Sequence, residues 1–193
     1  MAIKKVLITT GSTWVPIDRA RIISNLATGE TGALLAQALK KRGSKVTILR
    51  GPLEFKIFAE SLIKELKYKR FDAVIHGAAV CDYQLKNNRS LKIKSGLKCL
   101  NLKLTPTPKL INLIKRFQPK TILVGFKFEP QASKSVLIKE AKRLILNSNA
   151  DMVVANSNRK NKYFAFIVTR SKAYGPFMNK PGMVAGLIKT LEE

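Results

Sequence analysis

The sequence predicts an α/β protein with a Rossmann-like, doubly wound and mainly parallel sheet in three layers. Three observations carry that prediction. Val6-Leu-Ile-Thr-Thr10 is an apolar, β-type run that stops at Gly11. Strand-like and helix-like periodicities then alternate to the end of the chain, as βαβ units do. The interior strand candidates are apolar on both faces, above all Phe71-Asp-Ala-Val-Ile-His-Gly-Ala-Ala-Val80, as parallel strands covered from both sides must be.

The first unit is the most specific. Beyond Gly11 an irregular loop, containing Ile22-Ile-Ser-Asn25 and Thr28-Gly-Glu-Thr-Gly32, leads to a helix over Ala33 to Lys41. Gly43 ends that helix, and Val46-Thr-Ile-Leu49 is the next strand. Backbone N–H groups at such a helix start point towards bound anions, so the unit reads as the opening of a phosphate-handling nucleotide domain. The dinucleotide signature is missing. There is no Gly-x-Gly-x-x-Gly, and the second strand ends in Arg50 where an acidic ribose ligand would stand.

The remaining elements follow in order. Helical spacing covers Ala59 to Tyr68, and the buried strand covers Phe71 to Val80. Asp82 to Ser95 is polar, basic and aperiodic, which predicts a long loop, and Leu97 to Leu104 alternates weakly, as an edge strand would. Pro106 and Pro108 punctuate the chain before a short helix over Leu110 to Phe117. Thr121 to Phe126 is a strand, Ser133 to Leu146 a helix, and Asp151 to Ala155 a strand ending at Asn156. Tyr163 to Thr169 is a late strand and Val184 to Leu191 a terminal helix. With no repeat and no low-complexity linker, the 193 residues suit one domain over 1–193.

Composition narrows the class. No apolar run reaches the roughly 18 residues of a membrane span, and the N-terminus leads straight into a strand without signal-peptide architecture, so a cytoplasmic protein is expected. Two cysteines without ligand spacing and a single histidine argue against a zinc site, and no protein metal site is expected. The net charge of +24 is accounted for by lysine on solvated faces or by a nucleic-acid partner. Tyr83 to Phe128 contains basic residues from Lys86 and Arg89 to Lys127 but no Asp or Glu, and such a one-sided field concentrates any polyanion, nucleoside triphosphates included.

Ligands of open α/β sheets bind beyond the carboxyl ends of the strands. The residues falling there are Gly11-Ser12-Thr13, Gly77-Ala78-Ala79 with Asp82, Gly125-Phe126 and Ala155-Asn156. Small residues at 77–79 let a ligand lie against backbone, or equally allow tight helix–sheet packing. Asp82 suits a ribose hydroxyl or a loop cap, and His76 reads as a satisfied core histidine. No Ser-His-Asp, Cys-His or paired-carboxylate arrangement is present, so chemistry would rest on positioning and on stabilising negative charge.

Six motifs in one order then resemble a known family, phosphopantothenoylcysteine synthetase, the ligase half of the bifunctional coenzyme A biosynthesis flavoprotein. They are Ile8-Thr-Thr-Gly-Ser-Thr13 with Pro16-Ile-Asp18 and Arg21; Ile23-Ser-Asn25 with Thr28-Gly29; Ala78-Ala-Val-Cys-Asp-Tyr83; Lys92-Ile-Lys-Ser95; Thr107-Pro-Lys-Leu-Ile111; and Val124-Gly-Phe126 with Glu129. The resemblance spans about Lys5 to Asn156. It implies that 4′-phosphopantothenate attacks a nucleoside triphosphate, usually CTP (ATP is the alternative) with Mg²⁺, and that the cysteine amine then displaces the nucleotide. It further implies Asn25 and Lys92 as catalytic residues, with Asn25 and Ala79 at the substrate. Gly11, Gly29, Ala78, Asp82, Lys92, Pro106, Thr107, Pro108, Lys109 and Phe126 would bind nucleotide. A homodimer without membrane or nucleic-acid partner is implied, and a synthetase standing alone, because the flavin half is absent.

The sequence also departs from the family pattern at Ser12, Leu26, Glu30, Ser95 and Asn147, and in the shortened stretch Ser157 to Lys162. Lys142 and Arg143 stand one or two helical turns before Asn147, where a triphosphate-binding lysine is common. The departures leave the choice between CTP and ATP open. An NAD(P)-dependent oxidoreductase is disfavoured because no tyrosine starts a Tyr-x-x-x-Lys pair: Asp72, Asn87, Ile167 and Met178 follow at that spacing. A nucleic-acid-binding module rests on charge alone.

Overall fold

The computed structural model describes residues 3–86, 91–159 and 162–193. The elements run, in chain order, β1 (Lys5–Thr10), β2 (Thr13–Pro16), β3 (Ile22–Ser24), α1 (Glu30–Lys41), β4 (Lys45–Arg50), β5 (Leu53–Glu54), α2 (Phe55–Tyr68), β6 (Ala73–His76), β7 (Tyr83–Leu85), β8 (Leu104–Pro106), α3 (Ile111–Phe117), β9 (Ile122–Phe128), α4 (Lys134–Ser148), β10 (Met152–Arg159), β11 (Lys162–Thr169), β12 (Ala173–Phe177) and α5 (Lys180–Glu192). The main sheet has seven strands in the order β12-β11-β10-β9-β6-β1-β4. Pairing is parallel from β4 through β1, β6 and β9 to β10, and antiparallel for β11 and β12. The chain therefore starts in the interior, moves outward to β4, and then crosses back past β1. That reversal between β1 and β6 opens the crevice in which such sheets bind ligands.

Three layers follow from the alternation within each strand. In β1, Val6 and Ile8 pack with Leu35, Leu39 and Leu187 on the face covered by α1 and α5. Leu7 packs with Phe58, Leu62, Ile114 and Leu137 on the face covered by α2, α3 and α4. Both faces of β1 are apolar because both are covered, the reason its sequence is a run rather than an alternation. Helix ends agree with local chemistry. The Asn179 side chain accepts from Gly182 N at 2.7 Å to cap α5, Ser133 caps α4, and Gly43, at φ +83°, lets the chain leave α1.

Some boundaries differ from expectation. The loop after Gly11 is not irregular throughout: β2 and β3 form an antiparallel hairpin, joined by β5 into a three-stranded sheet. The expected buried strand over 71–80 ends at His76, and only a single bridge, Ser12 to Ala79, continues it. Leu97 to Leu104 is not an edge strand of the main sheet. Only Leu104–Pro106 is extended, and it pairs in a separate two-stranded sheet with β7, which lies inside the expected loop. Helix α1 begins at Glu30 and α5 at Lys180, ahead of the apolar residues that mark them, whereas α2 begins at Phe55, a buried aromatic that the expected range left out.

His76 is a core histidine, as expected. It is 7% exposed, its Nδ1 lies 2.8 Å from Thr9 Oγ1, and burial pushes its pKa down to about 4. The unfolded chain binds this proton first, so stability present above pH 6.5 is lost as pH falls towards 4. At pH 5 that loss is about 2 kcal/mol. Urea unfolding between pH 7 and 5 should show it, and His76→Gln should flatten that slope. Identical slopes in the two proteins would contradict the assignment.

Candidate active site

The backbone, rather than any side chain, lays out the mouth of the crevice. Gly11 leaves β1 at φ +80°, and a Cβ there would sit 2.9 Å from the Gly51 carbonyl oxygen. Gly51 is pressed from the other side, since a Cβ on it would lie 1.9 Å from the carbonyl oxygen of Ser12. The turns after β1 and β4 thus cross at van der Waals distance, joined by Gly51 N donating to Thr10 O at 2.9 Å. Gly29, at φ +79°, caps α1 and abuts Gly11, with the Thr10 hydroxyl donating to its carbonyl at 3.2 Å. Chain packing alone therefore demands glycine at 11, and it brings the start of α1 to the end of β1. Glu30, in the first turn of α1, is paired with Lys180.

Between β1 and β6 the chain is stitched across the crevice. Ala79 N donates to Gly11 O at 2.8 Å, and Thr13 N to Ala79 O at 3.1 Å. The Asn25 amide, at the end of the β2–β3 hairpin, donates to Ala79 O at 3.1 Å and Val80 O at 2.9 Å. With both N–H groups on backbone carbonyls, Asn25 presents Oδ1, an acceptor. Ala78 and Ala79 line the same segment and are partly exposed.

The expected nucleotide residues form two neighbouring groups. Thr107 donates its hydroxyl to Cys81 O at 2.5 Å and its N–H to Asp82 O at 2.9 Å, and Tyr83 pairs with Pro106. Lys109 reaches Asp82 at 2.5 Å, with both side chains 62% exposed. Pro106, Pro108, Lys109 and Asp82 are therefore one surface, with Thr107 buried beneath it as the tie between the two segments. The ring of Phe126 lies beside Gly77, 3.5 Å from where a Cβ there would be. Glu129, in the same motif, donates its N–H to Asn156 O at 3.0 Å and pairs with Lys127.

Lys92 and Lys94 are exposed on either side of Ile93, which is buried. Ile93 N donates to Asp18 Oδ2 at 3.0 Å, and the Arg21 guanidinium faces Ile93 O at 3.4 and 3.5 Å. The Ile93, Ala20 and Arg21 amides and the Arg21 charge hold the Asp18 carboxyl down at about 2. Arg89 of the basic loop and residues 160–161 of the shortened stretch lie outside the described residues. Lys142, which precedes the departure at Asn147, lines a shallow cavity on α4 with Ser133, Lys134 and Ile138.

Sequence reasoning placed Thr13 at a strand end and Asp18 in a motif without seeing what either bonds, and it missed Gly51. Thr13 is fully buried; its Oγ1 accepts from Cys81 N at 2.9 Å and its carbonyl from the Cys81 thiol at 3.1 Å. Only the Asp18 to Arg21 spacing, which suits an aspartate turn, could have been seen in advance.

The chain matches the model of the DNA/pantothenate metabolism flavoprotein C-terminal domain over residues 1–174. It is 40% identical over 167 residues to the coenzyme A biosynthesis bifunctional protein CoaBC of Thermococcus kodakarensis, covering 80% of this chain and 41% of that protein. The CoaBC of Borreliella burgdorferi is 35% identical over 175 residues, covering 83% and 43%. The chain thus spans about two fifths of the curated relatives it matches. The solved DNA/pantothenate metabolism flavoprotein from Streptococcus pneumoniae superposes with TM-score 0.85 at 22% identity over 98% of each chain. A Cab2 mutant in complex with phosphopantothenate-cysteine does so with TM-score 0.72 at 18% identity, over 98% of this chain and 86% of that one.

Proposed function

We propose, because the chain belongs to the DNA/pantothenate metabolism flavoprotein C-terminal domain family, that it is a ligase joining 4′-phosphopantothenate to L-cysteine through an acyl-nucleotide in coenzyme A biosynthesis. The observation that supports this most is convergence at one crevice. Asn25 is bonded to the backbone of Ala79 and Val80, Ala79 is bonded to Gly11, and Asp82 follows in the same segment, in contact with Lys109.

In this reading the substrate carboxylate attacks the α-phosphorus of CTP and the bond to pyrophosphate breaks. The cysteine amine then attacks the acyl carbon, the nucleotide monophosphate leaves with the C–O bonding pair, and the amine proton passes to solvent. The amides around Gly11 and Gly29 and the positive end of α1 face the phosphates. Asn25 Oδ1 accepts from the incoming amine, with Ala78 and Ala79 leaving room at the reacting carbon. Asp82 and Pro106 to Lys109 take the ribose and base, with Phe126 behind, and Lys92 neutralises charge on the acyl-nucleotide.

Among the described residues no three His, Cys, Asp or Glu side chains converge. Mg²⁺, which would neutralise the triphosphate, accordingly suits a site made mostly by phosphate oxygens and water, with Asp82 the nearest carboxylate to the nucleotide surface. The reading takes the enzyme as a cytoplasmic homodimer, and no described helix is long and apolar enough to cross a membrane. With 4′-phosphopantothenate, CTP and Mg²⁺, pyrophosphate release and cysteine-dependent amide formation are expected, with ATP as the parallel arm. No pyrophosphate from either nucleotide would refute the proposal.

A further inference from the structure

A single carboxylate joins the two candidate catalytic segments. Asp18 lies in the turn between β2 and β3, 5% exposed. Its Oδ1 accepts from Ala20 N at 2.7 Å and Arg21 N at 2.8 Å, which completes the local turn. Its Oδ2 is directed elsewhere, accepting from the Arg21 guanidinium at 2.5 Å and from Ile93 N at 3.0 Å, 75 positions along the chain. The segment from Leu91 to Ser95 belongs to no helix or strand, so Asp18 supplies the acceptor that a neighbouring strand would otherwise give this amide. The far end of the same hairpin carries Asn25.

We infer that Asp18 is a positioning residue: through the Ile93 amide it fixes the Lys92 segment to the tip of the hairpin whose other end carries Asn25. The tether stands on geometry, while the consequence for turnover rests on the ligase reading above. Two carboxylate oxygens with separate duties make the inference testable by one atom. In Asp18→Asn the side-chain oxygen can still complete the turn, whereas the amide nitrogen then faces two donors, Ile93 N–H and Arg21.

Three readouts decide it. In the unaltered protein the Ile93 amide should exchange with solvent at least tenfold more slowly than the amides of Lys92 and Lys94, and equal rates would overturn the tether. Asp18→Asn should remove that protection, speed tryptic cleavage after Lys92, and lower kcat about tenfold with KM for CTP within about twofold, since a displaced catalytic group loses rate rather than binding. Unchanged kcat would overturn the positioning role. In a Lys92→Ala background, Asp18→Asn should slow turnover by less than about twofold, and a second full tenfold loss would show that Asp18 acts by another route. Should Asp18→Asn fail to fold, Arg21→Met, which removes the guanidinium contacts to Asp18 Oδ2 and to Ile93 O, takes its place with the same expectations at smaller size. An inactive unaltered enzyme would sink the ligase reading alone, because Ile93 protection and tryptic cleavage are read without turnover.

Discussion

Lys92→Ala will lower turnover roughly a hundredfold while nucleotide affinity stays within about twofold. A cation that meets charge developing only in the transition state raises the rate of chemistry and leaves ground-state binding nearly untouched. Removing one such preorganised group costs about 3 kcal/mol. Lys92 and Lys94 are both exposed, one on each side of the anchored Ile93, so Lys94 is the natural rival and Lys98 the control from the same basic stretch. Steady-state kinetics on the three alanine variants, with CTP binding measured separately, decides among them. Three equal losses would mean that only the general positive field matters, and a change within twofold for Lys92→Ala would remove it from the mechanism.

Gly51→Ala will cost about 4 kcal/mol of stability, because its methyl group would overlap a main-chain carbonyl rather than a movable side chain. The overlap, 1.9 Å from Ser12 O, is relieved only by parting the turns that follow β1 and β4. For a chain of this length the melting temperature should fall by about 10 °C. Gly43→Ala is the matched control. Its φ is +83° but nothing lies within 4 Å of the added atom, so it should cost about 1 kcal/mol from backbone conformation alone. Equal losses at 43 and 51 would show that the crossing is not tightly packed.

The interior strands and helices were legible because burial on one or both faces leaves a local period. Val6 to Thr10, Ala73 to His76 and Ile122 to Phe126 lie within the ranges the pattern predicted. Short strands were not legible. Ile22-Ile-Ser24 and Tyr83-Gln-Leu85 have three residues each, too few for any period, and their partners lie far along the chain or on the other arm of a hairpin. β12 was hidden by Gly175-Pro176, which reads as a turn but is tolerated in a strand at the sheet edge. Of the site, the residues themselves were legible as motifs while their bonding was not. Asn25 as donor to Ala79 and Val80, and Asp18 as acceptor for Ile93, both join positions more than fifty residues apart.

By itself the sequence determined a layered α/β domain, the helix and strand periods, the family motifs in their order, and the residues on which to look for chemistry. All of these are written in neighbours one to four positions apart. The tertiary structure decided the strand order that opens the crevice between β1 and β6, the contact of Gly11 with Gly51, and the hydrogen bond that ties Asp18 to the Lys92 segment. Such contacts carry no local period. They form when packing brings distant backbone N–H and C=O groups out of water, where each must find a partner.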